Sequence, residues 1–233
     1  MKEDKEAAMT LEQLEAEVTR LEDIQEIEDL ERKYGYYFDT RRVRDVLDLF
    51  SENTESVEIE SHGQYLGKDG VRRMYMVGVG GEAETTLKDV VARREKSSGA
   101  GFNVITQLQG VVTIGANGKT AKGRWQAWLA ESFPFAGTFG QYWLHGYYEN
   151  EFAKKKGKWL FTKLFWNTTF FTRYETGWIV QPIVGFLSMP NPDNPPTAFH
   201  PYPSGYHFPY SFPHPVTGDV DVPVSRYVHP MAT

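Results

Sequence analysis

The chain has 233 residues, a net charge of −6 at neutral pH, and a composition that is 40% hydrophobic and 15% aromatic. That apolar content builds a sizeable core and excludes an intrinsically disordered chain, and an acidic balance without a long basic run excludes nucleic acid as a partner. There is no cysteine, which removes disulfides and thiolate chemistry, and a charged N-terminus without any membrane-length apolar run predicts a soluble, cytoplasmic protein with no membrane partner.

In chain order, residues 1–19 read as a leader helix, with Met9, Leu11, Leu14 and Val18 at helical spacing. Ile24, Ile27, Leu30, Tyr34 and Phe38 then recur at three- and four-residue steps, opposite Gln25, Glu28, Asp29, Arg32 and Lys33, which predicts an amphipathic helix. It runs into Tyr36, Tyr37, Phe38 and Asp39, and a second short helix follows on Val43, Val46, Leu47 and Phe50. Ser56 to Glu60 alternates weakly, residues 62–65 turn and return, and Lys68 to Val77 predicts a third helix with Val71, Met74 and Tyr75 inward. The charged stretch 82–100 reads as a loop or short helix over the rim.

From residue 101 the period changes to two. Gly101 to Ile114 predicts a long strand bulged at Gly110, Asn117-Gly118 a hairpin turn, and Thr120 to Glu131 the return strand. On that return strand Ala121, Gly123, Trp125, Ala127 and Leu129 share one face, and Lys122, Arg124, Gln126 and Trp128 the other. Residues 132–139, with Pro134, read as an excursion, followed by strands at Gln141 to Phe152 and Trp159 to Phe171 joined through the Lys154 to Lys158 run. Helices followed by a strongly curled antiparallel sheet make an α+β fold. Twelve of the thirteen prolines and four of the six histidines fall between Pro182 and Pro230. That composition excludes ordinary helix or central strand, and its many aromatics predict an extended arm packed on the body or on a neighbouring subunit. The expected organisation is therefore a leader at 1–19, a core domain at 20–173 and an arm at 174–233.

Several residues are candidates for chemistry. Asp39 is either a polar helix stop or a pocket carboxylate, which the adjoining aromatics would desolvate toward a useful base. Tyr34 and Tyr37 are core rings or hydroxyl donors. His145 lies mid-strand among aromatics, His62 at a turn, and either imidazole near a carboxylate would transfer protons at neutral pH. Asn103, Arg124, Gln126 and Asn167 are polar positions on otherwise apolar strands, suited to holding substrate hydroxyls or a developing charge if their face lines a pocket. Trp128 and Trp143 suit an aromatic ligand in the same circumstance. The glycines at 78, 80 and 81 lack the strand context of a dinucleotide loop, and His200, His207 and His214 lack a convergent ligand set, so no cofactor and no metal is expected.

The segments LERKYGYYFDTRRVRDVLDLF, GKDGVRRMY, GKTAKGRWQAWL and HGYYENEFAKKKGKWLFTKLFW, in this order, resemble the SnoaL-like branch of the nuclear transport factor 2-like superfamily over about residues 20–173. The resemblance implies a cone-shaped, curved antiparallel sheet wrapped by the N-terminal helices around one deep pocket, and a homo-oligomer, a trimer more than a dimer. It also implies a cofactor-independent lyase, similar to dehydratases of bile-acid and scytalone type or to enzymes that release formaldehyde from lignin-derived diaryl diols. An aromatic or polycyclic small molecule is the implied substrate, with an isomerase, a cyclase or a non-catalytic binding protein as alternatives. Tyr34 and Asp39 match the tyrosine and aspartate five residues apart in the bile-acid pattern. The family's sheet histidine is absent: near the start of the first long strand this chain reads Gly101, Phe102, Asn103, Val104, Ile105, Thr106.

Overall fold

The structure, a computed structural model, describes residues 9–59, 62–78, 101–135, 138–184, 191–197, 200–204 and 209–219. Helix α1 spans Leu11–Asp39, so the leader and the amphipathic segment after it are one continuous helix. Its start is fixed by a reciprocal cap: Gln13 N donates to Thr10 Oγ1 at 3.2 Å, and Thr10 N donates to Gln13 Oε1 at 2.8 Å. Ile27, Leu30, Glu31 and Tyr34 form its buried face, while Leu11, Leu14, Val18 and Leu21 on the first turns are exposed. Arg41, at φ 59°, turns the chain out of the helix, and α2 (Val43–Asp48) follows.

Strands β1 (Ser56–Ile59) and β2 (Gln64–Leu66) pair antiparallel, and α3 (Gly67–Arg73) runs into a single π-helical turn, α4 (Met74–Gly78). Val71, Met74 and Tyr75 are buried, as their spacing predicts. The stretch read as a rim loop at 82–100 lies outside the described residues. Then come β3 (Phe102–Ile114), β4 (Thr120–Phe135), β5 (Thr138–Lys155), β6 (Lys158–Arg173) and a last helical turn, α5 (Gly177–Val180). The predicted bulge is present, with the β3–β4 register shifting between Leu108 and Val111. Gly110 is required there because a Cβ would collide with the Trp125 indole. Asn117 Oδ1 accepts from Lys119 N at 2.8 Å and from Thr120 N at 3.0 Å, closing the predicted hairpin.

Two expectations fail. The described part of the expected excursion at 132–139 is strand: β4 and β5 stay paired from Thr120↔Ala153 out to Phe135↔Thr138 without a register shift. The cone-shaped, strongly curled sheet is also overturned. The six strands lie in the order β2-β1-β6-β5-β4-β3, all antiparallel except β1 beside β6, and β2 and β3 remain as separate edges of an open sheet. Closure needs corners at which long strands bend, and the unbroken β4–β5 ladder supplies none. A three-residue β2 also offers too little edge to meet the thirteen residues of β3.

Instead the sheet is covered on both faces. Trp125, Ala127 and Leu129 of β4, Tyr142, Leu144 and Tyr148 of β5, and Phe161, Leu164 and Trp166 of β6 form the inner face against the helices, in one cluster with Ile27, Tyr34, Val46 and Tyr75. The described parts of the arm follow the sheet's edges and then cross its outer face: Pro182 bridges Thr172 of β6, with Ile183 against the inner cluster, and Asn194 bridges Gln64 of β2. Asp193 takes a hydrogen bond from Leu66 N at 2.7 Å and an ion pair from Arg73 at 2.7 Å, and Thr197 N and Oγ1 donate to the buried Glu58 carboxylate at 2.6 and 2.9 Å. Farther along, Tyr202 N donates to Thr169 O at 2.6 Å, and Arg124 Nη1 donates to Pro209 O at 3.0 Å. The arm thus packs on its own sheet. Among the described residues no helix is long and apolar enough to cross a membrane.

Candidate active site

The alternation of strand side chains divides the candidate residues between the two faces of the sheet. Tyr34, Asp39 and Asn103 lie on the inner side, where α1 crosses β3. On the outer side, Trp128 faces His145 across β4 and β5, and Asn167 is paired with Tyr147 across β5 and β6. The His145 ring touches Trp128, Tyr147 and Phe170, with centroids 5.3, 5.7 and 5.6 Å away. Trp143 joins this group at 6.0 Å from Trp128. Burial among these rings lowers the His145 pKa. His145 is therefore separated from Tyr34 by the sheet itself and does not stand in for the absent histidine. His62 is buried at the entry to β2, remote in sequence position from both groups, and Tyr37 is half-buried under the Arg42 guanidinium, 4.8 Å above its ring.

Arg124 is taken up by the arm. Its guanidinium lies between the rings of Tyr147 and Tyr210, at 4.5 and 5.0 Å, and pairs with Glu149 at 2.5 Å, while Ser211 Oγ donates to Glu149 at 2.8 Å. A cavity of about 340 Å³ lies beside this latch, lined by Lys122, Glu149, Glu151, Lys163, Phe165 and Tyr210 among others. A second, of about 450 Å³, lies toward the β3–β4 hairpin. Neither is lined by Tyr34 or Asp39.

On the inner side the sequence places a carboxylate, an amide and a phenol within one assembly. Asp39, half-buried at the end of α1, accepts from Asn103 Nδ2 at 2.9 Å and from Ile105 N at 3.1 Å. Donors so directed fix the orientation of the carboxyl group. Tyr34, 1% exposed, receives a hydrogen bond from the Tyr75 hydroxyl at 3.0 Å, and its hydroxyl is also bonded to that of Tyr148. Burial raises the pKa of all three phenols, so each is a neutral hydroxyl near pH 7. Within the trio the bonds from Tyr75 and Tyr148 act the other way on Tyr34 alone, making its oxygen the one best prepared to carry negative charge.

Sequence reasoning missed Glu31, Tyr148, Gln107 and Asn150. Glu31 is fully buried, accepting from Gln107 Nε2 and Asn150 Nδ2, each at 2.9 Å, and desolvation pushes its pKa from about 4.5 up to about 8. Its signal was available. Glu31 stands four residues after Ile27 and three before Tyr34, so the carboxylate lies on the apolar stripe and not on the polar back of the helix. Gln107 and Asn150 carried no such signal, because strand parity alone does not say which face is covered.

The sequence profile of the SnoaL-like domain family matches residues 19–164. No curated protein matches the chain. Among solved structures, it is similar to a provisionally named scytalone dehydratase of Novosphingobium aromaticivorans DSM 12444, 17% identical over 75% of this chain and 95% of that one, with a TM-score of 0.53. It is also similar to a type 2 hexachlorocyclohexane dehydrochlorinase LinA, 15% identical over 76% of this chain and 99% of that one, TM-score 0.53. A LinA type 3 from Novosphingobium barchaimii LL02 is 15% identical over 75% and 99%, TM-score 0.50. At these identities the likeness is one of fold.

Proposed function

The chain belongs to the SnoaL-like domain family, and from that premise we propose that it is a cofactor-independent lyase acting on a hydrophobic, hydroxylated aromatic small molecule. The observation that carries this reading is the pairing of an oriented carboxylate, Asp39 held by Asn103 and Ile105 N, with a buried phenol, Tyr34, backed by two more. Elimination needs one group to take a proton and another to give one to the departing oxygen. Asp39 accepts the substrate proton. Tyr34 donates its hydroxyl proton to the leaving oxygen as the carbon–oxygen bond breaks, and Tyr75 and Tyr148 hold the charge left on the Tyr34 oxygen.

Exposure along α1 falls from half-buried Tyr37, Phe38 and Asp39 to buried Tyr34, which sets the direction of approach, with apolar rings around the reacting atoms. The names of the similar folds, a dehydratase and dehydrochlorinases, describe eliminations and support the same class. Release of formaldehyde from a diaryl diol would use the same two groups: Asp39 takes the hydroxyl proton of the departing carbon, the carbon–carbon bond breaks to give formaldehyde, and its electron pair forms a double bond as the other hydroxyl leaves as water with the Tyr34 proton. Asn103, in the stretch where the family's histidine is expected, orients Asp39 without exchanging a proton itself.

The test is incubation of the full chain with lignin-derived diols and steroid-like alcohols, followed by mass spectrometry. A product lighter by one water, or by one water and one formaldehyde, lost in Asp39→Asn, is the expected result. A product of unchanged mass would make the protein an isomerase. Binding without turnover, equal in wild type and Asp39→Asn, would make it a binding protein.

A further inference from the structure

A fully buried carboxyl group in the core calls for a reason. Glu31 has no cationic partner among the described residues: its two oxygens meet only the side-chain amides of Gln107 on β3 and Asn150 on β5. Asn150 is itself fixed, its Oδ1 accepting from Phe165 N at 3.1 Å, so the cradle is built and not incidental. The titratable groups facing Glu31 are Tyr34 one turn ahead on α1, Tyr75 on α4 and Tyr148 on β5, with Asp39 farther along the helix.

We infer that Glu31 is a positioning residue that sets the acidity of Tyr34: protonated, it lets the Tyr34 oxygen carry negative charge; ionised, it withholds that state. The inference rests on the lyase reading above. Its physics is the repulsion of two anions sharing one desolvated site, where the second to form is strongly disfavoured. Glu31 takes no part in bond making. It decides whether the Tyr34 hydroxyl can give up its proton as the leaving oxygen departs. Burial alone holds Glu31 largely protonated near neutral pH, so the phenol trio faces an uncharged neighbour there, and loses that condition as pH rises.

The experiment compares wild type with Glu31→Gln, which keeps the side chain's size and can donate to Gln107 once that amide turns over. Two readouts are taken over the pH range in which circular dichroism stays native. The first is kcat/KM for a hydroxylated aromatic substrate. Above about pH 8, wild type is expected to lose roughly tenfold per pH unit, while Glu31→Gln stays level. The second is carbon-13 NMR of ring-labelled tyrosine, with Tyr34→Phe identifying the Tyr34 resonance, expected to shift in wild type as pH rises through about 8 and to stay fixed in Glu31→Gln. An unchanged alkaline loss in Glu31→Gln, or a Tyr34 resonance that behaves alike in both proteins, overturns the inference while leaving the lyase reading intact. Absence of turnover by wild type at every pH overturns the lyase reading, and the resonance comparison then decides the effect of Glu31 on Tyr34 by itself.

Discussion

Asn103 donates its side-chain amide to Asp39 across the contact of α1 with β3, at 2.9 Å, and the backbone N–H two residues farther along β3 donates to the same carboxylate. Asp39→Asn is therefore expected to lower kcat by roughly 10²–10⁴-fold with ligand affinity retained. Asn103→Leu removes the side-chain anchor and leaves that of Ile105 N, so its loss is expected to be smaller, about tenfold. Steady-state kinetics with a parallel calorimetric measurement of binding checks both.

Tyr34→Phe keeps the ring contacts with Phe38, Tyr148 and Phe161 but removes the hydroxyl at the centre of the phenol trio. The expected outcome is a fall in kcat of roughly 10²-fold or more with KM little changed. Stability should fall by only about 1–2 kcal/mol, since Tyr75 and Tyr148 lose a partner but can bond each other or a water. Kinetics beside denaturant unfolding separates the two effects.

Glu31 also predicts a pH dependence of stability. Its folded-state pKa is raised from about 4.5 to about 8, so the folded protein holds a proton that the unfolded chain releases. Below about pH 4.5 both states are protonated and the burial costs least; stability then falls as pH rises, levelling off above about pH 8. The total loss is on the order of 5 kcal/mol. Urea unfolding of wild type and Glu31→Gln across this range should show the difference between them growing with pH.

Arg124→Ala strips the counter-charge from half-buried Glu149 and the cation from between Tyr147 and Tyr210. The expected cost is about 3–5 kcal/mol, with the arm cleaved sooner in limited proteolysis. Because the latch lies on the outer face, kcat at sub-denaturing temperature should change by less than about threefold. A loss of turnover as large as that of Asp39→Asn would place substrate on the outer face instead.

His145→Gln is a control for the division between faces. The imidazole packs among Trp128, Tyr147 and Phe170 on the side away from Tyr34. Turnover and its pH profile between about pH 5 and about pH 8 should match wild type, whereas the thermal midpoint should fall by a few degrees from lost packing.

What the sequence alone determined was local. Apolar spacing set the buried face of α1, Val71, Met74 and Tyr75 set that of the next helices, period-two alternation sorted Trp125 from Trp128, and Asn117-Gly118 and Gly110 marked the turn and the bulge, because each depends on backbone geometry within a few residues. The Tyr34 and Asp39 pair and the absent histidine came instead from the family resemblance. Tertiary structure alone decided that the sheet stays open, that the β4–β5 ladder runs through residues 132–135, and that His145 and Asp39 stand on opposite faces. Alternation says that two residues differ in face but never which face a helix will cover, and the amides that enclose Glu31 come from β3 and β5, more than seventy residues away along the chain.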